Sequence, residues 1–412
     1  MDVFNRIASR IDGYVDEIVE IQAKLTAFQA IGPENGGKGE YEKAGYVKEM
    51  LKKLNPDKVV EVNAPDERVP NGFRPNIAAF FNGIRGDKTL WIITHLDVVP
   101  PGDLKLWNTD PFKAELKDGK LYGRGVEDNQ QSLVASYMAV KALRDSKVTP
   151  YRRVGLLFVS DEETGSEKGL KYVLSKRRDL FREEDFYLVP DGGNSDGTMV
   201  EIAEKSMLWL RFQTIGKQGH GSRPDLAVNS FKAGSHLVTK LDRLYEIFDE
   251  KDELYEVPTS TFEPTKKEAN VPNINTIPGE DVFYMDCRIL PKIKVDEVIA
   301  NINGMAREIE SEFKVKVDVS TVQRADAAPP TPPDSPAVKA LLRAIKAVNG
   351  RDGKPMGIGG GTVAAILRRE GFPAVVWATM DETAHQPNEY CILDNLVNDA
   401  KVFLHMSLQE EV

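Results

Sequence analysis

Four apolar runs of this 412-residue chain end in side chains that bind metals or move protons. Leu90 to Thr94 runs into His95 and Asp97. Val154 to Ser160 runs into Asp161, Glu162 and Glu163, and Phe186 to Val189 into Pro190 and Asp191. Ala374 to Ala378 precedes a loop holding His385. A fifth group, Asp128, opens the helical pattern that follows Gly123-Arg124-Gly125. Side chains two apart on extended backbone share a face, so Asp97 can hold the second nitrogen of a metal-binding His95. Glu162 and Glu163 are neighbours and cannot easily do the same job. One can bind metal while the other faces water as a general base. In open α/β sheets, sites form beyond the carboxyl ends of the strands, which predicts that these distant groups converge. Five such N and O ligands, His95, Asp128, one of the two glutamates, Asp191 and His385, suit two metal ions sharing a carboxylate. Zinc is favoured, with cobalt or manganese as substitutes.

The elements that must position these groups follow from hydrophobic spacing. Val3, Ile7, Ile11, Val15, Ile18, Ile21 and Leu25 recur every three or four positions and predict a helix within residues 2–30. A second helix is expected around Tyr41 to Leu54 and a strand at Lys58 to Val62. Asn76 to Phe81 and Thr89 to Thr94 look like strands paired about a turn at Asn82 to Asp87. From Asn129 the pattern is helical, which puts Asp128 at a helix N-terminus.

The pattern changes near Lys205. Strands are expected at Met207–Ile215, Ile274–Ile277, Val282–Ile289 and Lys316–Val322, with helices at Leu226–Phe248 and Val295–Phe313 and a charged, Pro-containing insertion to Pro272. That order is a ferredoxin-like split unit. Pro329 to Pro333 reads as a linker, after which helix and strand alternate again to a final helix from Leu393. The expected architecture is α/β: a mostly parallel sheet with flanking helices over 1–206 and 324–412, carrying an inserted α+β domain at 207–323.

Composition removes other classes. A net charge of −10, with Lys and Arg scattered among acids, argues against a nucleic-acid binder. No apolar stretch approaches the roughly 20 residues of a membrane span, and Met1 to Arg6 lacks a secretory pattern. Cys287 and Cys391 are too few for a disulfide framework, so reduced thiols in the cytoplasm are expected. His236 and His405 sit on amphipathic helical patterns and read as structural. There is no Gly-x-Ser-x-Gly elbow and no His-Glu-x-x-His helix.

Thr94-His95-Leu96-Asp97-Val98-Val99-Pro100, Tyr122-Gly123-Arg124-Gly125 leading to Asp128, Asp161-Glu162-Glu163-Thr164-Gly165-Ser166 and Gly359-Gly360-Gly361-Thr362 resemble the dizinc amidohydrolases. That family includes aminoacylase, acetylornithine deacetylase, succinyl-diaminopimelate desuccinylase, glutamate carboxypeptidase and related dipeptidases. The resemblance covers nearly the whole chain. It implies two zinc ions per subunit, His95 and Asp191 on one, Glu163 and His385 on the other, with Asp128 between them. It further implies Glu162 as general base, Asp97 orienting His95, and a cis peptide bond between Asp128 and Asn129. The insert would be a lid and dimerisation domain, its His220 reaching the partner subunit's site to support the oxyanion. Asn275, Arg288 and the backbone near Gly360 would hold a substrate carboxylate.

The expected activity is hydrolysis of an amide bond in a small N-acyl amino acid by a cytoplasmic homodimer. A dipeptidase or carboxypeptidase is the alternative, and a non-catalytic metal-binding relative ranks behind both. Three departures bear on the substrate. Asn129, Gln130 and Gln131 stand where the family usually has a Lys, Val363 ends the usual Gly-Gly-Thr-Asp pattern, and Asp rather than Glu at 191 leans towards peptidases.

Overall fold

Leu90, Trp91, Ile92 and Ile93 are all buried. A run with no polar face has to be covered on both sides, as a sheet between two layers of helices allows. In the computed structural model, which describes residues 3–410, this run is the middle of an eight-stranded sheet. Residues 1 and 2, part of the stretches read above as helical and free of a secretory pattern, lie outside the described residues.

The strands of this sheet are β1 (Lys58–Glu61), β2 (Ile77–Phe81), β3 (Arg85–His95), β4 (Arg152–Val159), β5 (Phe186–Asn194), β6 (Met199–Glu204), β7 (Lys354–Ile358) and β8 (Ala374–Thr379). Their order is β1-β2-β4-β3-β5-β8-β6-β7. The four central strands β4, β3, β5 and β8 are parallel, while β1 and β2 run antiparallel to their neighbours and β6 runs antiparallel to β8. Thus β2 and β3 do not form the expected hairpin, because β4 lies between them. From Val154 to Val159 β4 is apolar and buried, so it takes a central place after the crossover through the helix Ser132–Asp145. On one face, Trp91, Ile93, Tyr187 and Val376 pack with Leu170, Val173 and Leu367 of the helices Leu170–Arg177 and Ala364–Arg369.

The helical pattern at the N-terminus is interrupted, giving Val3–Ile11 and Val15–Thr26 with a tight turn at Asp12–Tyr14. Asp128 is not at the first turn of a regular helix either. Residues 126–131 wind irregularly ahead of Ser132–Asp145, with Asp128 and Asn129 outside helical backbone angles. The Asp128–Asn129 peptide bond is cis.

The chain divides into two compact units. The first is Met1–Ile202, Pro330–Pro355 and Thr362–Val412; the second is Ala203–Pro329 with Met356–Gly361. The glycine-rich 356–361 therefore groups with the insert, although it falls in the sequence beyond Pro329. The second unit has a four-stranded antiparallel sheet in the order Thr261–Lys267, Glu280–Ile289, Ser206–Ile215, Lys316–Ala325. The helices Ser230–Leu241 and Val295–Phe313 pack on it. This is the ferredoxin-like arrangement, with one correction: its second strand is Thr261–Lys267, inside the stretch read as an insertion. That edge strand exposes most of its side chains and carries Glu263, Pro264, Lys266 and Lys267, so it has no apolar alternation to reveal it. Thr276–Ile277 instead pairs with Gly219–His220 in a separate ladder.

Candidate metal centre

Because β4, β3, β5 and β8 are adjacent and parallel, their carboxyl ends lie in a row. His95 ends β3, Glu162 and Glu163 follow β4, Asp191 lies in β5, and His385 is in the loop after β8. The structure brings these together with Asp128. His95 Nε2 is 2.8 Å from Asp128 Oδ1 and 3.5 Å from Asp191 Oδ1. His385 Nε2 is 3.2 Å from Asp128 Oδ2 and 3.0 Å from Glu163 Oε2. Each oxygen of Asp128 therefore faces a different imidazole. Donors bound to one ion at 2.0–2.2 Å stand roughly 3.3 Å apart in a tetrahedron, so these spacings suit shared ions.

Among the described residues, two sets of three have donor atoms within 4.8 Å of one another: His95, Glu162 and Asp191, and His95, Asp128 and Glu163. Glu162 is thus within ligand reach as well as base reach. It differs from its neighbours in that no hydrogen bond or ion pair holds its carboxylate among the described residues. Glu163 Oε1 is buried without a hydrogen-bond partner among the described residues.

The electrostatics favour a cation. Burial, then the charge of Asp191, holds the Glu162 carboxyl well above the usual range. Burial and Asp128 push Glu163 up to about 7. His385 rises to about 10 through its bonds to Asp128 and Glu163. Burial opposes charge on Asp128, but the bonds from His385 and His95 outweigh it and hold its pKa down. Five carboxylates packed around two imidazoles must share protons unless divalent ions supply the positive charge. The residues present therefore fit a metal centre.

Asp97 does more than orient an imidazole. His95 Nδ1 lies 3.0 Å from the Asp97 carbonyl oxygen and 3.5 Å from its carboxylate. The carboxylate oxygens accept the backbone N–H groups of Glu162 (3.1 Å) and Glu163 (3.0 Å). One side chain thus ties β3 to the loop after β4. That loop turns sharply at Asp161, whose φ of 63° is the left-handed region that L residues rarely adopt. Asn129, one of the three departures from the family pattern, donates to Asp191 Oδ1 at 2.6 Å and to the Pro190 carbonyl at 2.8 Å. Gln131 donates to the Thr379 carbonyl and to Asp399.

The second unit holds the other predicted residues. His220 Nδ1 accepts the Ser222 N–H at 3.2 Å and lies 2.8 Å from the Ser222 hydroxyl. The backbone of Asn275 accepts from Gly221 at 2.7 Å, so His220 and Asn275 lie on facing chains. Arg288 donates through Nη1 to the Gly359 carbonyl at 2.9 Å, beside Gly360. Two further donors of its fork already hold Asp286, at 2.7 and 3.0 Å. His236 packs at a tilt on Phe313, and His405 packs edge-to-face with Phe4 and bonds Gln409. Both cysteines are buried and unpaired. Among the described residues, no helix is long and apolar enough to cross a membrane.

Sequence reasoning missed several buried groups around the centre. Glu127 and Glu389 brace its loops, and Arg74 pairs with Glu40 and reaches Asp161 behind the Glu162 turn. Lys43 is buried with no hydrogen-bond partner for its Nζ among the described residues. Burial lowers its pKa to about 8 against the opposing charges of Asp97 and Glu40. No motif marks these residues, because each acts through a neighbour remote in sequence.

Comparison with known proteins agrees with this geometry. Residues 91–409 match the model of peptidase family M20/M25/M40. An uncharacterised metallohydrolase of Methanococcus maripaludis is 40% identical over 413 residues, covering 95% of this chain and 98% of that one. A succinyl-diaminopimelate desuccinylase of Wolbachia pipientis is 27% identical, covering 92% and 89%. The crystal structure of human carnosine dipeptidase 1 superposes with a TM-score of 0.76 at 18% identity, covering 99% and 98%. The chain belongs to the M20/M25/M40 peptidase family and is a metal-dependent hydrolase.

Proposed function

We propose that this protein cleaves the amide bond of a small N-acyl amino acid bearing a free carboxylate, as a dinuclear zinc enzyme. The observation that carries this is the carboxylate of Asp128, with one oxygen on His95 and the other on His385. His95 and Asp191 would hold one zinc, and Glu163 and His385 the other, with Asp128 common to both. Bound zinc supplies a Lewis acid for the carbonyl oxygen and a nucleophilic hydroxide at neutral pH. Cobalt or manganese would serve in its place.

The chain's own residues do the remaining work. Glu162, with its raised pKa and no hydrogen bond to hold it, takes the proton of the attacking water and delivers it to the leaving nitrogen. Asp97 fixes the backbone from which Glu162 projects. His220, from the other subunit of a homodimer formed through 207–323, presents Nε2–H to the developing oxyanion. Asn275, Arg288 and the backbone at Gly360 hold the substrate carboxylate, Arg288 sharing its fork with Asp286. Two unpaired, buried thiols agree with a cytoplasmic setting.

The desuccinylase relative supports the N-acyl substrate. Asp rather than Glu at 191 favours the second reading, a dipeptidase or carboxypeptidase using the same residues. Metal-stripped protein assayed with and without zinc on N-succinyl-diaminopimelate, N-acetylornithine and simple dipeptides tests both. Zinc-restored cleavage of an N-acyl amino acid is expected; cleavage of dipeptides alone selects the second reading. No cleavage of any of them with two zinc bound refutes both substrate classes.

A further inference from the structure

Glu127 is next to Asp128 in sequence, yet its side chain serves a different loop. It is 1% exposed. Its Oε1 accepts the Asp381 N–H at 2.7 Å, and its Oε2 accepts the Thr383 N–H at 2.6 Å and the Thr383 hydroxyl at 2.7 Å. His385 is two residues further on, in a left-handed conformation with φ of 62°. Glu389, four residues past His385, reaches back the other way. Its Oε1 accepts the N–H groups of Glu127 (3.0 Å) and Asp128 (3.1 Å), and its Oε2 accepts the Gly125 N–H (2.9 Å) and Arg124 Nη1 (2.6 Å). Two buried carboxylates thus lace the Asp128 segment to the His385 loop from opposite sides. Glu389 has Arg124 as its counter-charge, but Glu127 has only neutral donors among the described residues. A buried carboxylate without a cation is costly, and here its satisfied bonds all go to one loop.

We infer that Glu127 is a positioning residue that locks the loop of His385 to the segment of Asp128 and so sets the affinity of the metal position enclosed by Glu163, His385 and Asp128. This rests on the two-metal reading above. The effect is selective because of chain connectivity. His95 and Asp191 lie on strands at the centre of the sheet, and among the described residues neither side chain is hydrogen-bonded to residues 381–385. Asp128 keeps its hold on Glu389 when Glu127 is altered. His385, whose side chain is 56% exposed, is placed among the described residues by Asp128, Glu163 and the pinned loop. Glutamine cannot substitute, since both carboxylate oxygens accept backbone N–H groups and an amide nitrogen would face one of them.

The test is zinc titration by chelator competition of the full-length protein and of Glu127→Gln, with thermal unfolding of the metal-free forms. Thr383→Val, which removes one of Glu127's three bonds together with the hydroxyl's bonds to the Tyr390 backbone, serves if Glu127→Gln does not fold. The wild type is measured first: two zinc per chain uphold the two-metal reading, and one overturns it independently of the variants. In Glu127→Gln one of the two zinc affinities is expected to fall about 10–100-fold while the other stays within about 3-fold. Thr383→Val should shift the same site in the same direction, by about 2–5-fold. Two unchanged affinities in a folded variant would overturn the inference. So would an equal loss at both sites accompanied by a fall in metal-free stability, since that marks Glu127 as a brace of the fold alone.

Discussion

Replacing Asp97 with Asn tests whether this carboxylate holds the Glu162 turn. Its two oxygens each accept one backbone N–H, from Glu162 and Glu163, at 3.1 and 3.0 Å. Asn has one acceptor, so one N–H must face an amide nitrogen in a site that is 1% exposed. A hydrogen bond to a charged group contributes about 1.5–3 kcal/mol, and a stranded buried donor costs a similar amount. Removing the Asp97 charge relieves its repulsion of Glu40, Glu162 and Glu163 but gives up its attraction for His95, Arg74 and Lys43, so the lost hydrogen bonds set the size of the effect. The metal-free variant should therefore lose about 2 kcal/mol in urea unfolding. Zinc affinity should fall about 10–100-fold, which adds about 1.4–2.7 kcal/mol when zinc is present. The gap between wild type and variant must widen when saturating zinc is added. An unchanged metal-free midpoint with zinc affinity within about 2-fold would refute the reasoning, and show that Asp97 matters only through His95 or not at all.

Three further outcomes follow. Glu162→Gln should retain fold and both metals while kcat falls by about 10²–10⁴; near-normal turnover would remove Glu162 as the base. Arg288→Lys should raise KM about 10-fold with little change in kcat, since a point charge replaces a bidentate fork; an unchanged KM would place the carboxylate elsewhere. Asp399 is buried on Thr379 and Gln131, and burial lifts its pKa to about 7. The folded state then keeps a proton that the unfolded chain releases near pH 4, so this group's contribution to stability is full below about pH 4 and declines up to about pH 7. At about 1.4 kcal/mol per pH unit that decline is capped near ~4 kcal/mol, and Asp399→Asn should remove it, flattening the stability–pH curve. A curve of unchanged slope between pH 4 and 7 would show that Asp399 ionises normally.

The residues that gather at the centre were legible in the sequence because each is marked locally. A strand buried on both faces announces itself as an apolar run, and the acid or imidazole ending it marks where the sheet opens to solvent. His95, Asp191 and the Glu162–Glu163 pair are each visible in that way from their own neighbours. The inserted unit was legible as strand and helix order, except for Thr261–Lys267, whose exposed edge carries no apolar period. What tertiary structure alone decided is who stands beside whom. The insertion of β4 between β2 and β3 is a competition among strands far apart in the chain. It makes four parallel strand ends neighbours and so gathers the site. The bonds from Asp97 to the Glu162 turn, and from Glu127 and Glu389 across loops more than 250 residues apart, also lack a local signature. Hydrophobic periodicity reports only whether a residue faces a core. The partner of a buried carboxylate is settled when the chain closes and each buried donor must find an acceptor.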